Sequence, residues 1–341
     1  MRGLLFGLIF VAPPFLKQLL LKWFCAARFG RRAHIGWFSA VVGRRVEMGE
    51  YSTIRLFTLI NLIGDVKLGH YSEISSFNLI YGSSSLSIGD HSYIGPQSLI
   101  NVEAEVRLGH GSALGPRSMV FTHGSFLPYT EGYWVKLAGV TIGDKVWCAA
   151  GVFIHPGVEI GEDTFVNSRS VVTQSVPPGS VVEGNPAKVI YPMARVKREM
   201  SPRHVDLALE RLLRDFAEIG LRRELGLASV QAEKHQLRFR WRAQTYQIGL
   251  IPSTGDAPQR ASLAAAGRQI FIVNRPGWPA PSGATIFDIT TMQTQFIADR
   301  INTALRLFML RYYGVKFKDA NRKQHGHGAS AAVTRLDNRR E

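Results

Sequence analysis

The stretch VTIGDKVWCAAGVFIHPGVEIGEDTFVNSRSVV, residues 140–172, decides the fold. A small apolar residue returns at every sixth position in it: Ile142, Cys148, Ile154, Ile160, Val166 and Val172. Neither an α-helix, with a period of 3.6, nor an alternating strand, with a period of 2, produces a strict six-residue repeat. One short strand plus one corner does fit six residues, with the sixth side chain always directed inward. The repeat therefore predicts a solenoid in which three such units make one triangular turn.

The same signal continues upstream in turns of 20 residues. An apolar residue followed by glycine begins each turn, and a serine follows at a constant distance: Met48-Gly49, Leu68-Gly69, Ile88-Gly89 and Leu108-Gly109, with Ser52, Ser72, Ser92 and Ser112. The two extra residues fall at the corner after the third strand of each turn. The step from Leu108 to Ile142 is 34 residues, which is 18 plus 16. The sequence thus predicts a 16-residue insertion that leaves the solenoid after Val120, with His123 at its root.

Three segments carry a family resemblance: FTHGS at 121–125, VTIGDKVW at 140–147 and VVEGNPAKVI at 181–190. Over residues 29 to 190 the chain resembles the hexapeptide-repeat acyltransferases, in particular sugar O-acetyltransferases of surface polysaccharide synthesis. The resemblance implies a left-handed parallel β-helix, an exception to the usual right-handed crossover rule. It also implies transfer of an acyl group, usually acetyl from coenzyme A, to a hydroxyl or amine. Such enzymes are generally homotrimers with active sites between neighbouring subunits.

The resemblance places the general base of this reaction at His123. A histidine suits the role because its ordinary pKa lies near neutrality. One 20-residue turn before His123 stands Glu103, at a backbone spacing of about 4.8 Å. We expect its carboxylate to orient the imidazole and to stabilise the imidazolium; the alternative is a solvated corner residue. Asn101, in the same enlarged corner, completes the predicted catalytic set.

Coenzyme A is expected to bind in a groove between subunits, and the resemblance assigns it contacts with Ala150, Ser168, Thr173 and Lys188. Ala150 and Ser168 are 18 residues apart and therefore stack, while the Lys188 ammonium is suited to pair with phosphate. The chain departs from the family pattern at residues 167–170, where Asn-Ser-Arg-Ser replaces Gly-Ala-Gly-Ser. Ala149 also replaces a usual glycine. The new arginine either pairs with a phosphate of the donor or crowds the groove.

We expect no metal and no thiol chemistry. His70 and His110 share one corner column but lie two turns apart, about 9.6 Å, which is too far to share a metal within one subunit. We therefore interpret them as polar corner residues. Cys148 occupies an inward repeat position and is expected to be a small core residue rather than a nucleophile. With Cys25 as the second of only two cysteines, a disulfide framework is not expected, which fits a reducing cytosol.

We divide the chain into four parts: an apolar segment 1–28, the β-helix 29–192, a small α+β domain 200–318 and a disordered tail 319–341. In the third part Ser201-Pro202 predicts the start of a helix. Leu237, Phe239 and Trp241 alternate with arginines, as in a strand with one buried face. Further strands are predicted at 269–273 and 284–289, and a helix at 298–313. No catalytic motif is recognised in this domain.

The first 46 residues contain eight Lys and Arg residues and no Asp or Glu. Their first apolar run, Gly3 to Ala12, is shorter than the ~20 residues needed to span a bilayer. Two interpretations remain: a cap on the open end of the solenoid, or an interfacial segment with Trp23 and Phe24 among lipid headgroups and the arginines on anionic lipid. Under the second interpretation we expect residues 1–24 to be removable without loss of the solenoid.

The net charge of +15 favours anionic partners such as phosphorylated substrates, nucleotide cofactors or an anionic membrane face. We predict an enzyme that uses acetyl-CoA to O-acetylate a sugar or a glycolipid-linked polysaccharide intermediate. We expect a cytoplasmic homotrimer, peripheral on the inner face of the cell membrane through residues 1–28, with no nucleic-acid partner. The alternative is a non-catalytic β-solenoid scaffold or binding protein of the same pathway.

Overall fold

The computed structural model describes residues 2–124, 127–254 and 267–320. The chain divides into two compact units, Met1–Arg198 and Glu199–Glu341. Asp319 pairs with Thr294 as the last strand of the second unit, so ordered structure continues beyond residue 318, where the predicted tail begins. The rest of that tail, from residue 321, lies outside the described residues.

The first unit consists of short strands, most of them two or three residues long. Their bounds are β1 Arg28–Phe29, β2 His34–Ile35, β3 Ala40–Val42, β4 Val46–Met48, β5 Thr53–Ile54, β6 Leu59–Leu62, β7 Val66–Leu68, β8 Glu73–Ile74, β9 Leu79–Gly82, β10 Leu86–Ile88, β11 Tyr93–Ile94, β12 Leu99–Asn101, β13 Val106–Leu108, β14 Ala113–Leu114, β15 Met119–Val120, β16 His123–Gly124, β17 Lys136–Leu137, β18 Val140–Ile142, β19 Trp147–Cys148, β20 Phe153–Ile154, β21 Glu159–Ile160, β22 Phe165–Val166, β23 Val171–Val172, β24 Ser180–Gly184 and β25 Ala187–Pro192.

These strands form three sheets, one for each side of a triangular solenoid. The first sheet has the order β1-β4-β7-β10-β13-β18-β21, the second β2-β5-β8-β11-β14-β19-β22-β24-β25 and the third β3-β6-β9-β12-β15-β20-β23. Pairing is parallel, with an offset of 19 residues from the first coil to the second, as at Arg28↔Glu47, and of 20 in the next coils, as at Leu86↔Val106. The offset is 34 across the insertion, as at Val106↔Val140, and 18 after it, as at Thr141↔Glu159. Only the closing β24–β25 hairpin pairs antiparallel within these three sheets. The solenoid predicted from the repeat, and the left-handed parallel β-helix that the family resemblance implies, are confirmed.

The six-residue column supplies the core of the solenoid. All six members of the column in residues 140–172 are buried and belong to one hydrophobic cluster that runs the length of the unit. Cys148 is among them, and burial raises the pKa of its thiol to about 12. A thiolate nucleophile is therefore excluded at this position near neutral pH. The prediction that Cys148 is a core residue is confirmed.

The repeating serines and glycines form the corner between the first and second sheets. The Ser72 hydroxyl donates to the carbonyl of Gly89 at 2.6 Å and accepts from the amide of Ser92 at 3.0 Å. Ser92 repeats this arrangement with Gly109. Glycine is required because consecutive coils approach closely: a Cβ on Gly89 would lie 2.7 Å from the carbonyl carbon of Gly109.

Two helices, α1 Arg2–Val11 and α2 Pro14–Phe24, close the open end of the solenoid. Ile9 and Leu21 join the solenoid core, and Lys17 is fully buried. The Lys17 ammonium donates to the carbonyls of Gly36 and Ser39, both at 2.7 Å. The structure therefore supports the cap. Because these contacts cover the first coil, we expect removal of residues 1–24 to destabilise the solenoid, in contrast to the expectation from the sequence. In the described part of the chain, no helix has the length and apolar character to cross a bilayer.

The second unit is the α+β domain expected from the sequence. Its helices are α3 Pro202–Asp215, a π-helix Phe216–Glu224 and α4 Arg300–Tyr313. Its seven-stranded sheet follows chain order: β26 Val230–Glu233, β27 Gln236–Trp241, β28 Gln244–Ile251, β29 Arg268–Val273, β30 Thr285–Asp288, β31 Gln293–Gln295 and β32 Lys318–Asp319. Ser201 is the N-cap of α3 and accepts from the amide of His204, as predicted.

Candidate active site

The insertion leaves the solenoid at the corner between the third and first sheets, which we call the insertion corner. The enlarged corners of the 20-residue coils lie along the same edge. His123 is exposed and begins β16, which pairs antiparallel with β17 so that His123 faces Leu137 across the ladder. The position of His123 at the root of the projecting insertion, predicted from the residue count, is confirmed.

Hydrogen bonds fix the backbone next to His123. The buried Thr122 hydroxyl accepts from the amide of Ala104 at 3.0 Å, and it lies 3.1 Å from both the carbonyl oxygen and Oδ1 of Asn101. On the returning strand, the amide of Ala138 donates to the carbonyl of Thr122 at 2.9 Å. The structure thus places Asn101 against the residue that precedes the predicted base, not against the imidazole itself.

Glu103 does not contact His123. Its Oε2 atom accepts from the Ser83 hydroxyl at 2.7 Å, one coil further from the insertion. In residues 2–124, 127–254 and 267–320, no ion pair of 4.0 Å or less joins this carboxylate to the imidazole. The prediction of a direct Glu103–His123 contact is therefore wrong. The reason is that the chain leaves the coil here: Thr122 is still buried, like Val102 one coil earlier, but its carbonyl accepts from Ala138. His123 then enters the β16–β17 ladder.

A second histidine, His155, lies at the insertion corner on the next coil. Gly124 follows His123 and Pro156 follows His155, and a Cβ on Gly124 would lie only 3.5 Å from Cγ of Pro156. The His155 ring packs edge-on against Phe153, with ring centroids 4.9 Å apart. Sequence reasoning missed this residue, although a signal was available, because His155 stands one 18-residue turn before Thr173.

Lys136 reaches over this part of the corner from β17. A Cβ on Gly157 would lie 2.9 Å from Cε and 3.3 Å from Nζ of Lys136. Burial, together with the charge of Lys136, lowers the pKa of His155. The corner therefore combines an exposed imidazole, a second imidazole that favours its neutral form, and an ammonium group. These groups can accept a proton and stabilise a developing oxyanion.

The predicted donor-binding residues lie at two different corners. Ala150 and Ser168 are exposed at the corner between the second and third sheets, and the amide of Arg169 donates to the carbonyl of Ala150 at 2.9 Å. Lys188 faces Glu183 in the hairpin that extends the second sheet beyond Ser168. Thr173 instead lies at the insertion corner, directly after β23. Within one chain Thr173 lies at the same corner as His123. Ala150, Ser168 and Lys188 do not.

The remaining corner histidines bind the backbone. His70 Nδ1 accepts from the amide of Glu50 at 2.8 Å, and His110 Nδ1 accepts from the amide of Asp90 at 3.0 Å. Each bond links one coil to the next, so both rings serve the solenoid corner. Across the described residues, no group of three His, Cys, Asp or Glu side chains is arranged to hold a metal ion.

Sequence comparison finds acetyltransferases. The chain is 42% identical over 67 residues to WcaF of Escherichia coli K12, a protein assigned to colanic acid biosynthesis as an acetyltransferase; the match covers 20% of this chain and 37% of WcaF. It is 43% identical over 51 residues to the galactoside O-acetyltransferase of Escherichia coli K12, covering 15% and 25%. The matched region thus spans 37% of the length of WcaF and 25% of the length of the galactoside O-acetyltransferase, well under half of either relative. No family model matches the chain.

Structure comparison finds acyltransferases at low similarity. The acetyltransferase VCA0836 of Vibrio cholerae, solved with acetyl coenzyme A, is 21% identical with a TM-score of 0.33, covering 56% of this chain and 84% of that one. The N-acyltransferase AntD of Bacillus cereus, solved with dTDP and 3-hydroxybutyryl-CoA, is 18% identical with a TM-score of 0.38, covering 57% and 94%. At this similarity the fold assignment rests on the strand pairing of the chain itself. By its repeat, its β-helix and its sequence relatives, this chain is a hexapeptide-repeat protein similar to the acetyltransferases of that family.

Proposed function

We propose that the chain is an acyltransferase that moves an acetyl or other short acyl group from coenzyme A to a hydroxyl of a sugar. The observation that carries the proposal is the insertion corner, where the exposed His123 is held by the Thr122–Asn101 contact beside His155 and Lys136. The sequence relatives, two of which are named for acetyl transfer, support the reaction class. A solenoid that served only as a scaffold would not need this combination of groups at one corner.

In the proposed reaction the imidazole of His123 takes the proton of the acceptor hydroxyl. The freed oxygen attacks the thioester carbonyl, and a tetrahedral oxyanion forms. Collapse of this intermediate breaks the carbon–sulfur bond and releases the thiol of coenzyme A, which recovers the proton from the imidazolium. The Lys136 ammonium is the positively charged group at this corner that is placed to stabilise the oxyanion. His155 is suited to a neutral positioning role because its pKa is lowered.

A homotrimer would unite the two halves of the proposed site. The third sheet separates the corner of Ala150 and Ser168 from the insertion corner by about 15 Å, the length of five extended residues. One outward row of this sheet is apolar: Leu59, Leu79, Leu99, Met119, Phe153 and Val171. The outward row of the first sheet is polar: Glu47, Lys67, Ser87, Arg107, Thr141 and Glu159. We therefore propose that the third sheet faces a neighbouring subunit, which supplies the donor-binding corner missing from each insertion corner.

The acceptor is proposed to be a sugar of a polysaccharide or of a glycolipid-linked intermediate. Three aromatic side chains of the insertion are exposed, Tyr129, Tyr133 and Trp134. Exposed aromatic rings give the flat apolar surfaces on which sugar rings pack. The galactoside O-acetyltransferase relative supports a sugar hydroxyl as the acceptor. A peripheral contact of residues 1–28 with the cytoplasmic face of the membrane belongs to the same proposal.

Release of coenzyme A thiol by the purified protein tests the proposal. The protein is incubated with acetyl-CoA and a panel of mono- and oligosaccharides, and thiol release is compared with that of a His123→Ala variant. We expect release that depends on both the acceptor and His123. Absence of release across the panel, with binding of a sugar or protein partner retained, would favour the alternative scaffold function.

A further inference from the structure

Each of the two amino-terminal helices exposes a row of large apolar side chains to solvent. Leu4, Leu8 and Val11 of α1 are 82%, 48% and 62% exposed, and Phe15, Leu19 and Trp23 of α2 are 71%, 61% and 86% exposed. We call these six residues the cap surface. Large apolar side chains at such exposure cost solvation free energy, and a contiguous patch of them marks a contact surface.

The cap surface cannot turn inward, because the opposite faces of both helices are already occupied. Ile9 and Leu21 are fully buried in the solenoid core. Lys17, which lies on the buried face of α2, is fixed by its two hydrogen bonds to the first coil. The spacings 4, 8, 11 and 15, 19, 23 place each exposed set on one side of its helix. The cap surface therefore faces solvent, on the sides of the two helices opposite the solenoid core.

Positive charge predominates in the part of the chain that carries the cap surface. Lys22 and Arg28 are exposed beside the end of α2, and Arg31 and Arg32 are exposed on the first coil. No Asp or Glu occurs among the first 46 residues. The nearest acids belong to the next coil, where Glu47 is the cross-strand neighbour of Arg28. Lys22, Arg31 and Arg32 still give this end of the solenoid a positive charge, which two copies joined cap to cap would bring together. An anionic partner with an apolar interior satisfies both features of the surface.

We propose that the cap surface docks the protein on a bilayer that contains anionic phospholipid. Each helix is about 15 Å long, too short to cross, so both would lie in the plane of the interface with their apolar faces among the acyl chains. The Trp23 ring would sit at headgroup level, and the arginines would contact lipid phosphates. This inference gives a surface and a lipid class to the membrane contact proposed above and rests on that proposal, but not on acyl transfer.

Vesicle flotation of the full chain tests the inference without any measurement of turnover. The probes are vesicles that contain phosphatidylglycerol and vesicles of phosphatidylcholine alone. We expect flotation with the first and a decrease at raised ionic strength, because charge contributes to binding. A Leu4→Ser/Phe15→Ser/Trp23→Ser variant should bind at least ~10-fold more weakly, since it loses most of the inserted apolar area.

A control is a Val196→Ser/Met200→Ser/Leu207→Ser variant, which removes three apolar side chains elsewhere on the chain that are more than half exposed. It should float like the unchanged protein. Circular dichroism and the melting temperature establish that both variants are folded. Equal flotation of the cap variant and the control would overturn the inference. So would lack of flotation by the unchanged protein, or a fall in oligomer size on light scattering confined to the cap variant, which would assign the surface to a second copy.

Discussion

The hydroxyl oxygen of Thr122 lies 3.1 Å from Oδ1 of Asn101, between two consecutive coils and immediately before His123. Both residues are buried, and the same hydroxyl accepts from the amide of Ala104. The predicted base therefore extends from a residue that is anchored to the preceding coil, whereas the imidazole itself is exposed.

We expect Thr122→Val, which keeps the shape but removes the hydroxyl, to destabilise the fold by about 1–3 kcal/mol, because it leaves the amide of Ala104 buried without an acceptor. It should also lower kcat by at least ~10-fold through displacement of His123, with KM for acetyl-CoA nearly unchanged. Thr122→Ser restores the hydroxyl and should recover kcat. Loss of stability with an unchanged kcat would limit the Thr122–Asn101 contact to a structural role.

His123→Ala should lower kcat by at least ~10²-fold, the lower end of the range for a general base. His155→Gln should lower it less, because His155 has a positioning role in the proposed mechanism. The pH–rate profile separates the two histidines. If His155 were the base, the acidic limb would lie below the ordinary histidine range, since burial and Lys136 lower its pKa. An acidic limb in that position, together with a small effect of His123→Ala on kcat, would assign the role of base to His155 and the positioning role to His123.

Glu103→Gln should change kcat by less than ~10-fold, a smaller loss than removal of a base produces. Its carboxylate is held by Ser83, and Ser83→Ala is the matched control. Steady-state kinetics across a range of pH decide the question. A downward shift of the acidic limb in Glu103→Gln alone would show that the carboxylate reaches the imidazole when substrate is bound.

Light scattering should give the mass of a trimer. Leu79→Glu/Leu99→Glu, on the outward row of the third sheet, should reduce the mass to that of a monomer and abolish activity, because charge would be buried in the subunit contact. The control Lys67→Glu/Ser87→Glu places the same side chains on the polar first sheet and should leave the trimer intact. A fully active monomer of the unchanged protein would contradict the proposed division of the site between subunits.

The stability of the cap should rise with pH in the alkaline range. Burial lowers the pKa of Lys17 from 10.5 to about 8. Below pH 8 both the folded and unfolded states carry the proton, and the cost of burying the charge is fully present. Between pH 8 and 10.5 the folded state releases its proton first, so the free energy of unfolding increases, by about 3 kcal/mol over the whole interval. Urea unfolding at several pH values should show this increase relative to Lys17→Met, and parallel profiles for the two proteins would refute it.

The solenoid could be predicted from the sequence because its repeat is local: each inward residue marks its own unit, and counting alone located the insertion and His123. The contacts of the insertion could not be predicted this way. Lys136 reaches Gly157 through an antiparallel pairing that no repeat encodes. The Glu103 prediction failed because the count was extended past Val120, where the chain leaves the register that the count assumes.

The amino-terminal segment was ambiguous for a different reason. The run from Gly3 to Ala12 is apolar on all sides, so its pattern cannot distinguish a face that packs on protein from one that meets lipid. The structure separates the two faces: Ile9 belongs to the core, while Leu4 and Leu8 are exposed. The buried side of the cap and the exposed cap surface thus correspond to the two interpretations that the sequence left open.

Because the coils are evenly spaced, the number of coils between two strands of one sheet gives the distance between them along the solenoid. From β3, beside the cap, to β15, which leads into the insertion, the third sheet advances by four coils, or about 19 Å. With the cap surface on a bilayer and the solenoid axis along the membrane normal, His123 would stand about that height above the first coil. A single sugar attached directly to a lipid would pass beneath the site, whereas a saccharide already several residues long would reach it. The number of coils between cap and insertion would then set the minimum length of the acceptor.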